Sequence, residues 1–246
     1  MTVDLTGRRI WIVGASSGIG AALAGALDAR GARVAVSARR ESALREVAGD
    51  RMAVVPVDIT DKAAVRRAAA QVVDELGGLD IVVLSAGYWK QLTEFDAESF
   101  QRHLDVNLSG MANCLEAVIP RLQAAGAGII VGISSVAGLR GLPGAEAYGA
   151  TKAAQINLLE ALRVGLGPQG IDVVTVCPGF VDTEMTSTNR FPMPFMVTAP
   201  VAARMIADGI ERRTARIVFP WQMAVFAKLA PLVPDRLWAT IFRSRK

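Results

Sequence analysis

An α/β fold, built as one doubly wound parallel sheet with helices on both faces, is what this sequence predicts, and three observations predict it. Short β-branched runs alternate with longer helical patterns, a glycine-rich turn follows the first run, and no internal repeat or low-complexity linker breaks the series. A length of 246 residues, 52% of them apolar, suits a single domain with a sizeable core.

The strands are expected at Ile10 to Val13, Val34 to Ser37, Ala53 to Val57, Ile81 to Leu84, Ile129 to Ile133 and Val173 to Val176, with a last short one at Ile217 to Phe219. A single body carrying the sheet is thus expected over residues 1–219, followed by an apolar helical extension over 220–246. Cys114 and Cys177 lie far apart with no metal-ligand spacing, which suits a reducing cytoplasm. The start MTVDLTGRR has no signal-peptide pattern, and the uncharged stretch from Trp11 to Leu27 is broken by glycine and serine, so neither export nor a membrane span is expected. The formal charge of +4 is scattered apart from Arg39-Arg40, Arg212-Arg213 and the end from Arg243 to Lys246, which argues against a nucleic-acid partner.

The first strand runs into VGASSGIG, with Gly14, Gly18 and Gly20 ahead of a helix that continues to about Arg30. Glycines there let the backbone turn tightly and approach a pyrophosphate, and the free N–H groups of a helix start favour its charge. The spacing is GxxxGxG rather than GxGxxG, and glycine turns also serve strand–helix packing. The strand–turn–helix context decides for cofactor binding and makes the expected fold Rossmann-like.

The second strand ends in VSARRES. NAD sites commonly place a carboxylate there for the ribose hydroxyls, whereas NADP sites place a cation near the 2'-phosphate. Ala38 and Arg39 stand at that place, so NADP(H) is expected in preference to NAD(H), which the same cradle also admits. A charge-assisted contact of roughly 1.5 to 3 kcal/mol discriminates on the order of ten- to a hundredfold.

In SSVAGLRGLPGAEAYGATKAA, residues 134–154, Tyr148 and Lys152 are four apart at the start of a helical pattern and share one face. A neighbouring ammonium favours the phenolate, so a lowered tyrosine pKa is expected. Ser135, thirteen positions earlier and just past a strand, brings a hydroxyl from the loop side. A proton-transfer group with a polarising partner is what hydride exchange between a nicotinamide and a carbonyl requires.

The set VGASSGIG, SAG, LDVNLSG, SSVAG, YGATK and PGFVDT resembles the short-chain dehydrogenase/reductase family over roughly Arg8 to Phe219. The resemblance implies that Ser135, Tyr148 and Lys152 are the catalytic trio and that Asn107 is a fourth member, whose backbone holds a water linking the lysine to a proton relay. It implies cofactor contacts from Gly14, Ser16, Ser17, Gly18, Ile19 and Gly20 in the turn, and from Arg39 and Arg40 after the second strand. Asp58 and Ile59 would meet the adenine, with Ser85, Ala86 and Gly87 following the fourth strand. Pro178, Gly179, Val181 and Thr183 would hold the nicotinamide carboxamide, while Tyr148 and Lys152 also touch the cofactor. A homodimer or homotetramer is implied through the helical stretches from Ala97 to Ala125 and from Tyr148 to Gly167.

Two departures occur together. Val13 replaces the family's threonine, and Leu84-Ser85-Ala86-Gly87 replaces Asn-Asn-Ala-Gly. Losing both partners of a buried polar contact is nearly neutral, whereas losing one costs about 1 to 3 kcal/mol, so the two changes are expected to compensate. His103, the sole histidine, is expected at the surface or in helix packing, Cys177 as a buried structural thiol, and Asp182 with Glu184 as no metal pair.

Residues 183–200 form a long connection expected to act as a lid, with Phe191, Met193, Phe195 and Met196 as its apolar inner face. With Tyr88, Trp89, Leu139 and Leu142 they predict a pocket for a hydrophobic ketone or secondary alcohol. The function expected is NADP(H)-dependent hydride transfer, and the alternative is a non-catalytic NADP(H)-binding redox sensor on the same fold. In the tail, Pro231 and Pro234 separate two short helices, the second with Leu237, Trp238 and Ile241 on one face and Arg236 and the basic end outward. Packing of this tail against protein is favoured; in-plane contact with a membrane surface is the alternative.

Overall fold

The computed structural model describes residues 2–187, 189 and 191–243. Along the chain come β1 (Arg9–Val13), α1 (Gly18–Asp28), β2 (Arg33–Ser37), α2 (Glu41–Ala48), β3 (Ala53–Val54), α3 (Lys62–Leu76) and β4 (Ile81–Leu84). Next, α4 (Ala97–His103) passes through a π-helical turn, Leu104–Ser109, into α5 (Gly110–Ala125), followed by β5 (Gly128–Ile133), α6 (Glu146–Leu166) and β6 (Ile171–Pro178). The chain continues through β7 (Val181–Asp182), β8 (Val197–Thr198), α7 (Ala199–Glu211), β9 (Arg216–Phe219), α8 (Trp221–Leu229) and α9 (Asp235–Arg243).

The main sheet has the order β3-β2-β1-β4-β5-β6-β9, and its strands pair in parallel. The order reverses between β1 and β4, and that switch point opens a crevice at the carboxyl ends of the strands. Side chains alternate across the sheet as the strand period demands: Ile10 and Ile12 enter the core under α1 and α7, while Trp11 and Val13 enter the core under α3, α5 and α6. The fully buried Trp11 indole donates to Ser37 Oγ at 2.8 Å, and that hydroxyl donates to the Val55 carbonyl at 2.6 Å. Val13 and Leu84 are register partners on β1 and β4 and are both buried, so the two departures from the family pattern meet as one apolar contact.

The expected strand Ala53 to Val57 is regular only over its first two residues, at the edge of the sheet. Its neighbours still bond to β2, Val55 N–H to Val36 O and Val57 N–H to Ala38 O, each at 3.0 Å. The small parallel pair β7–β8 is an addition to the expected series and joins the two ends of the connection between them at its base. Among the described residues no helix is long and apolar enough to cross a membrane.

The tail forms two helices separated by a short 3₁₀ turn, Ala230–Leu232. Met223 of α8 is buried with Val136, Ile156 and Cys177. Trp238 of α9 donates from its indole to the Gly141 carbonyl at 2.9 Å and lies under the Arg140 guanidinium, 5.2 Å from the ring centroid. The expected common apolar face is divided: Trp238 is docked, whereas Leu237 and Ile241 are exposed. A basic end facing outward concerns residues 244–246, outside the described ones.

Candidate active site

Every segment singled out for the cofactor comes to one cleft of about 550 Å³ at the switch point. Its walls are the β1–α1 turn from Gly14 to Gly20, Arg39 and Arg40 after β2, Asp58 and Ile59 before α3, and Ser85 to Gly87 after β4. Tyr148 and Lys152 on α6 and the segment from Pro178 to Thr183 complete it, and Ser135 lies in the same wall. Asn107 sits behind this lining and is fully buried.

The turn can take this shape only with glycines. A Cβ on Gly14 would lie 2.3 Å from the Ala86 backbone nitrogen, and one on Gly20 would lie 2.1 Å from the Gly14 carbonyl oxygen. Gly14 also sits at φ +91°. Helix α1 begins at an extended Ser17 whose side chain does not cap it, and its first turn carries no acidic residue, so the positive helix end faces the cleft without an anionic side chain in that turn. These features fit a dinucleotide pyrophosphate.

Arg39 is exposed at the cleft wall beside Asp58. Burial opposes ionisation of Asp58, but the Thr60 amide at 2.9 Å, the Thr60 hydroxyl at 2.8 Å and the Arg39 charge together hold its carboxyl below the usual range. Arg40 pairs instead with Glu184 at 2.9 Å, reaching from the end of β2 to the start of the connection between β7 and β8.

The end of β5 and the start of α6 are locked together where Ser134 Oγ donates to the Lys152 carbonyl at 2.9 Å. Tyr148 and Ser135, one on each side of that lock, line the same cleft. Ser135 Oγ also accepts from Ala137 N–H at 3.1 Å, which holds the hydroxyl on the cleft side of the turn Val136–Gly138. Tyr148 keeps an open edge toward the cleft, yet burial pushes its phenol up to about 12 against the pull of Ser135. Lys152 Nζ lies 5.5 Å from the Tyr148 ring centroid, and burial pulls its ammonium down to about 7. The expected lowering of the tyrosine by its neighbour is therefore reversed: desolvation of the phenol outweighs the pull of Ser135 and holds it neutral.

Asn107 is fixed by the loop after β4 and by α6. Its Oδ1 accepts from Tyr88 N–H at 2.6 Å, and its Nδ2 donates to Tyr88 O and to Thr151 Oγ1, each at 3.0 Å. The π-helical turn that carries it turns its backbone carbonyl toward α6, where Gln155 Nε2 donates to it at 2.5 Å. Gln155 was not singled out from the sequence, although its place three residues after Lys152 puts a polar group on the same helical face.

His103 packs between helix and loop. One ring nitrogen, Nδ1, meets the Ser99 carbonyl at 2.7 Å, and the other, Nε2, accepts from Lys90 N–H at 3.2 Å. Burial pulls its pKa below the usual histidine value. Cys177 is buried beside Lys152, and desolvation pushes its thiol up to about 12, so it is structural.

Tyr88, Trp89 and Met185 line the open end of the cleft, and Trp89 stands edge-on to Tyr148 with ring centroids 5.1 Å apart. Met185 was missed in the sequence because nothing in its neighbours marks which way it faces. Leu139 leaves this wall to pack with Val136 and Met223. Of the expected inner face of the lid, Phe191 packs against Phe180 and Met193 is half-buried, but Phe195 and Met196 are exposed. Thr188 and Arg190 of that segment lie outside the described residues.

Residues 8–193 match the family described as short chain dehydrogenase. An oxidoreductase of Myxococcus xanthus is 37% identical over 243 residues, covering 96% of each chain. The crystal structure of a short chain dehydrogenase from Burkholderia cenocepacia in complex with NADP superposes with a TM-score of 0.86 at 26% identity, over 98% of this chain and 99% of that one. A 3-ketoacyl-(acyl-carrier-protein) reductase from Brucella melitensis complexed with NADH shares the fold, with a TM-score of 0.81 at 24% identity over 87% of this chain and 97% of that one. With the glycine turn, the switch-point cleft and a family match over three quarters of its length, the chain belongs to the short chain dehydrogenase family and is an NAD(P)-dependent oxidoreductase.

Proposed function

We propose that the chain interconverts an apolar ketone and its secondary alcohol as a carbonyl reductase or alcohol dehydrogenase, with NADP(H) preferred over NAD(H). The observation that carries this reading is the convergence of Ser135, Tyr148 and the buried Lys152 on one wall of the cleft that starts at the glycine turn, with Lys152 Nζ 5.5 Å from the Tyr148 ring centroid. Nicotinamide, when bound, supplies or accepts the hydride. Tyr148, kept neutral by burial, donates its proton to a carbonyl oxygen as negative charge develops there, and Ser135 polarises the same oxygen. Lys152 stabilises the phenolate left behind and holds a ribose hydroxyl.

The β1–α1 turn would hold the pyrophosphate, Asp58 and Ile59 the adenine, and Val181 with Thr183 the carboxamide. The preference for NADP(H) rests on Arg39, with Ala38 where a ribose-binding carboxylate would otherwise stand. Tyr88, Trp89 and Met185 support an apolar substrate. A panel of apolar ketones with NADPH and NADH, followed at the reduced nicotinamide band, tests both parts. Turnover with NADPH ahead of NADH is expected, whereas tight NADPH binding with no turnover across the panel would favour redox sensing instead. We further propose a homo-oligomer formed through α5 and α6, supported by Val164 on α6 being 79% exposed. A monomer by light scattering at micromolar protein would overturn it.

A further inference from the structure

We propose that Gln155 is a positioning residue of the reaction, whose side-chain amide ties the Lys152 ammonium to the Asn107 backbone carbonyl and so takes the bridging place that the family resemblance assigns to a water. The inference rests on the proposed role of Lys152. Lys152 Nζ donates to Gln155 Oε1 at 2.9 Å, and Gln155 Nε2 donates to Asn107 O at 2.5 Å. Gln155 and Asn107 are fully buried, and Lys152 is nearly so.

The orientation of the amide is forced. An ammonium only donates and a carbonyl only accepts, so the amide oxygen must face the lysine and its nitrogen the carbonyl. A second bond from Lys152 Nζ, to the Ile133 carbonyl at 2.9 Å, fixes the group from the β5 side. Two of its three donors are thereby engaged with protein groups. Tyr148, Lys152 and Gln155 follow one another at four and three residues on α6, so one helix face presents proton donor, cation and clamp in register. A carboxamide passes no proton at neutral pH without forming its imidic acid, so its part is to hold and orient Lys152 rather than to relay.

The titratable groups facing Lys152 are Tyr148 on its own helix and Cys177 on β6, while the π-helical turn and the end of β5 present neutral carbonyls. Its protonation therefore responds to what stands at position 155. The test uses the full chain with ¹³C-labelled lysine, titrating the Lys152 side chain by NMR with no cofactor present, in the wild type, Gln155→Glu and Gln155→Leu. Gln155→Glu puts an opposite charge against Nζ and is expected to move the Lys152 midpoint upward by roughly 1 to 3 pH units. Gln155→Leu is expected to move it downward.

On a ketone turned over by the wild type, Gln155→Leu is expected to lower kcat about tenfold with an unchanged ketone KM, an effect confined to the transition state. Gln155→Glu, whose carboxylate keeps the bond to Nζ but has no N–H for the Asn107 carbonyl, is expected to lower kcat as well, with its pH profile displaced in the same direction as the NMR midpoint. Should Gln155→Leu fail to fold, the Glu variant alone decides. A Lys152 midpoint unmoved in a folded Gln155→Glu overturns the inference whether or not any ketone is turned over. A moved midpoint with full turnover in Tyr148→Phe would leave the clamp standing and remove the proposed function.

Discussion

The floor and the roof of the cleft are held by different means. On the floor, Asn107, Lys152 and Gln155 are buried and bonded to one another across α6, the π-helical turn and β5, and each polar group has a protein partner. Over the roof, the segment between β7 and β8 is tied by a two-residue strand pair at its base, the Trp89 indole bond to Asn189 at 2.9 Å, and the solvent-exposed Arg40–Glu184 pair. Phe195 is 54% exposed there. Buried networks leave an orphaned group when one member is lost, whereas exposed pairs exchange their partner for water. Changes on the floor should therefore be large and fall on kcat, and changes on the roof small and fall on affinity.

The sharpest test of that contrast is Tyr148→Phe, which removes one hydroxyl from the floor and leaves the glycine turn alone. Turnover is expected to fall by roughly 10²- to 10⁴-fold while NADPH affinity, measured by fluorescence titration, stays within a few-fold. Substantial residual turnover would take proton transfer away from Tyr148. Next in size stands Arg39→Ala at the cleft wall. NADPH affinity is expected to weaken about ten- to a hundredfold, NADH hardly at all, and the double change with Ala38→Asp to favour NADH. Equal losses for the two cofactors would show that Arg39 meets no 2'-phosphate.

His103 adds a pH term to the support behind the floor. Its pKa in the folded chain is below the unfolded value of about 6.5, because burial opposes the charge and Nε2 must stay unprotonated to accept from Lys90 N–H. The unfolded chain then binds more protons between the two values, so stability is complete above pH 6.5 and declines as the pH falls below it. The slope for this group is at most about 1.4 kcal/mol per pH unit. Thermal melts should show this decline, and His103→Gln should flatten that component. Melts of equal pH slope in the two proteins would place the acid sensitivity elsewhere.

The same contrast marks what was legible in the sequence. The cofactor segments could be read because each is a short stretch at the carboxyl end of a strand, and strand order alone delivers them to one crevice. The pairing of Val13 with Leu84 was legible for the same reason, since parallel register puts the ends of β1 and β4 side by side. What escaped depends on contacts between distant segments. The reversal of the Tyr148 shift follows from how much protein surrounds α6, which spacing does not encode, and the Gln155 bridge needs the π-helical turn to bring Asn107 across from another helix. Phe195 and Met196, like Leu237 and Ile241 in the tail, satisfy an apolar pattern without being covered. Periodicity identifies a face but not its partner.

The smallest expected effect lies on the roof, at Glu184. Its carboxylate is held below the usual range first by the hydrogen bonds and charge of Arg40 and also by Ser17 at the start of α1. The negative charge thus stands against the part of the turn assigned to the pyrophosphate and takes up a cation that anionic ligands would otherwise attract. Glu184→Gln removes that charge while keeping the shape, so NADPH and NADH should both bind more tightly, by less than about threefold because the pair is exposed. The gain should shrink as salt is raised from low ionic strength to about 0.15 M, where exposed charges are screened beyond roughly 8 Å. Titrations at the two salt concentrations check both points. A loss of affinity in Glu184→Gln, or a drop in kcat comparable to that of Gln155→Leu, would mean that Glu184 belongs to the fixed floor and that the boundary between the two regions is misplaced.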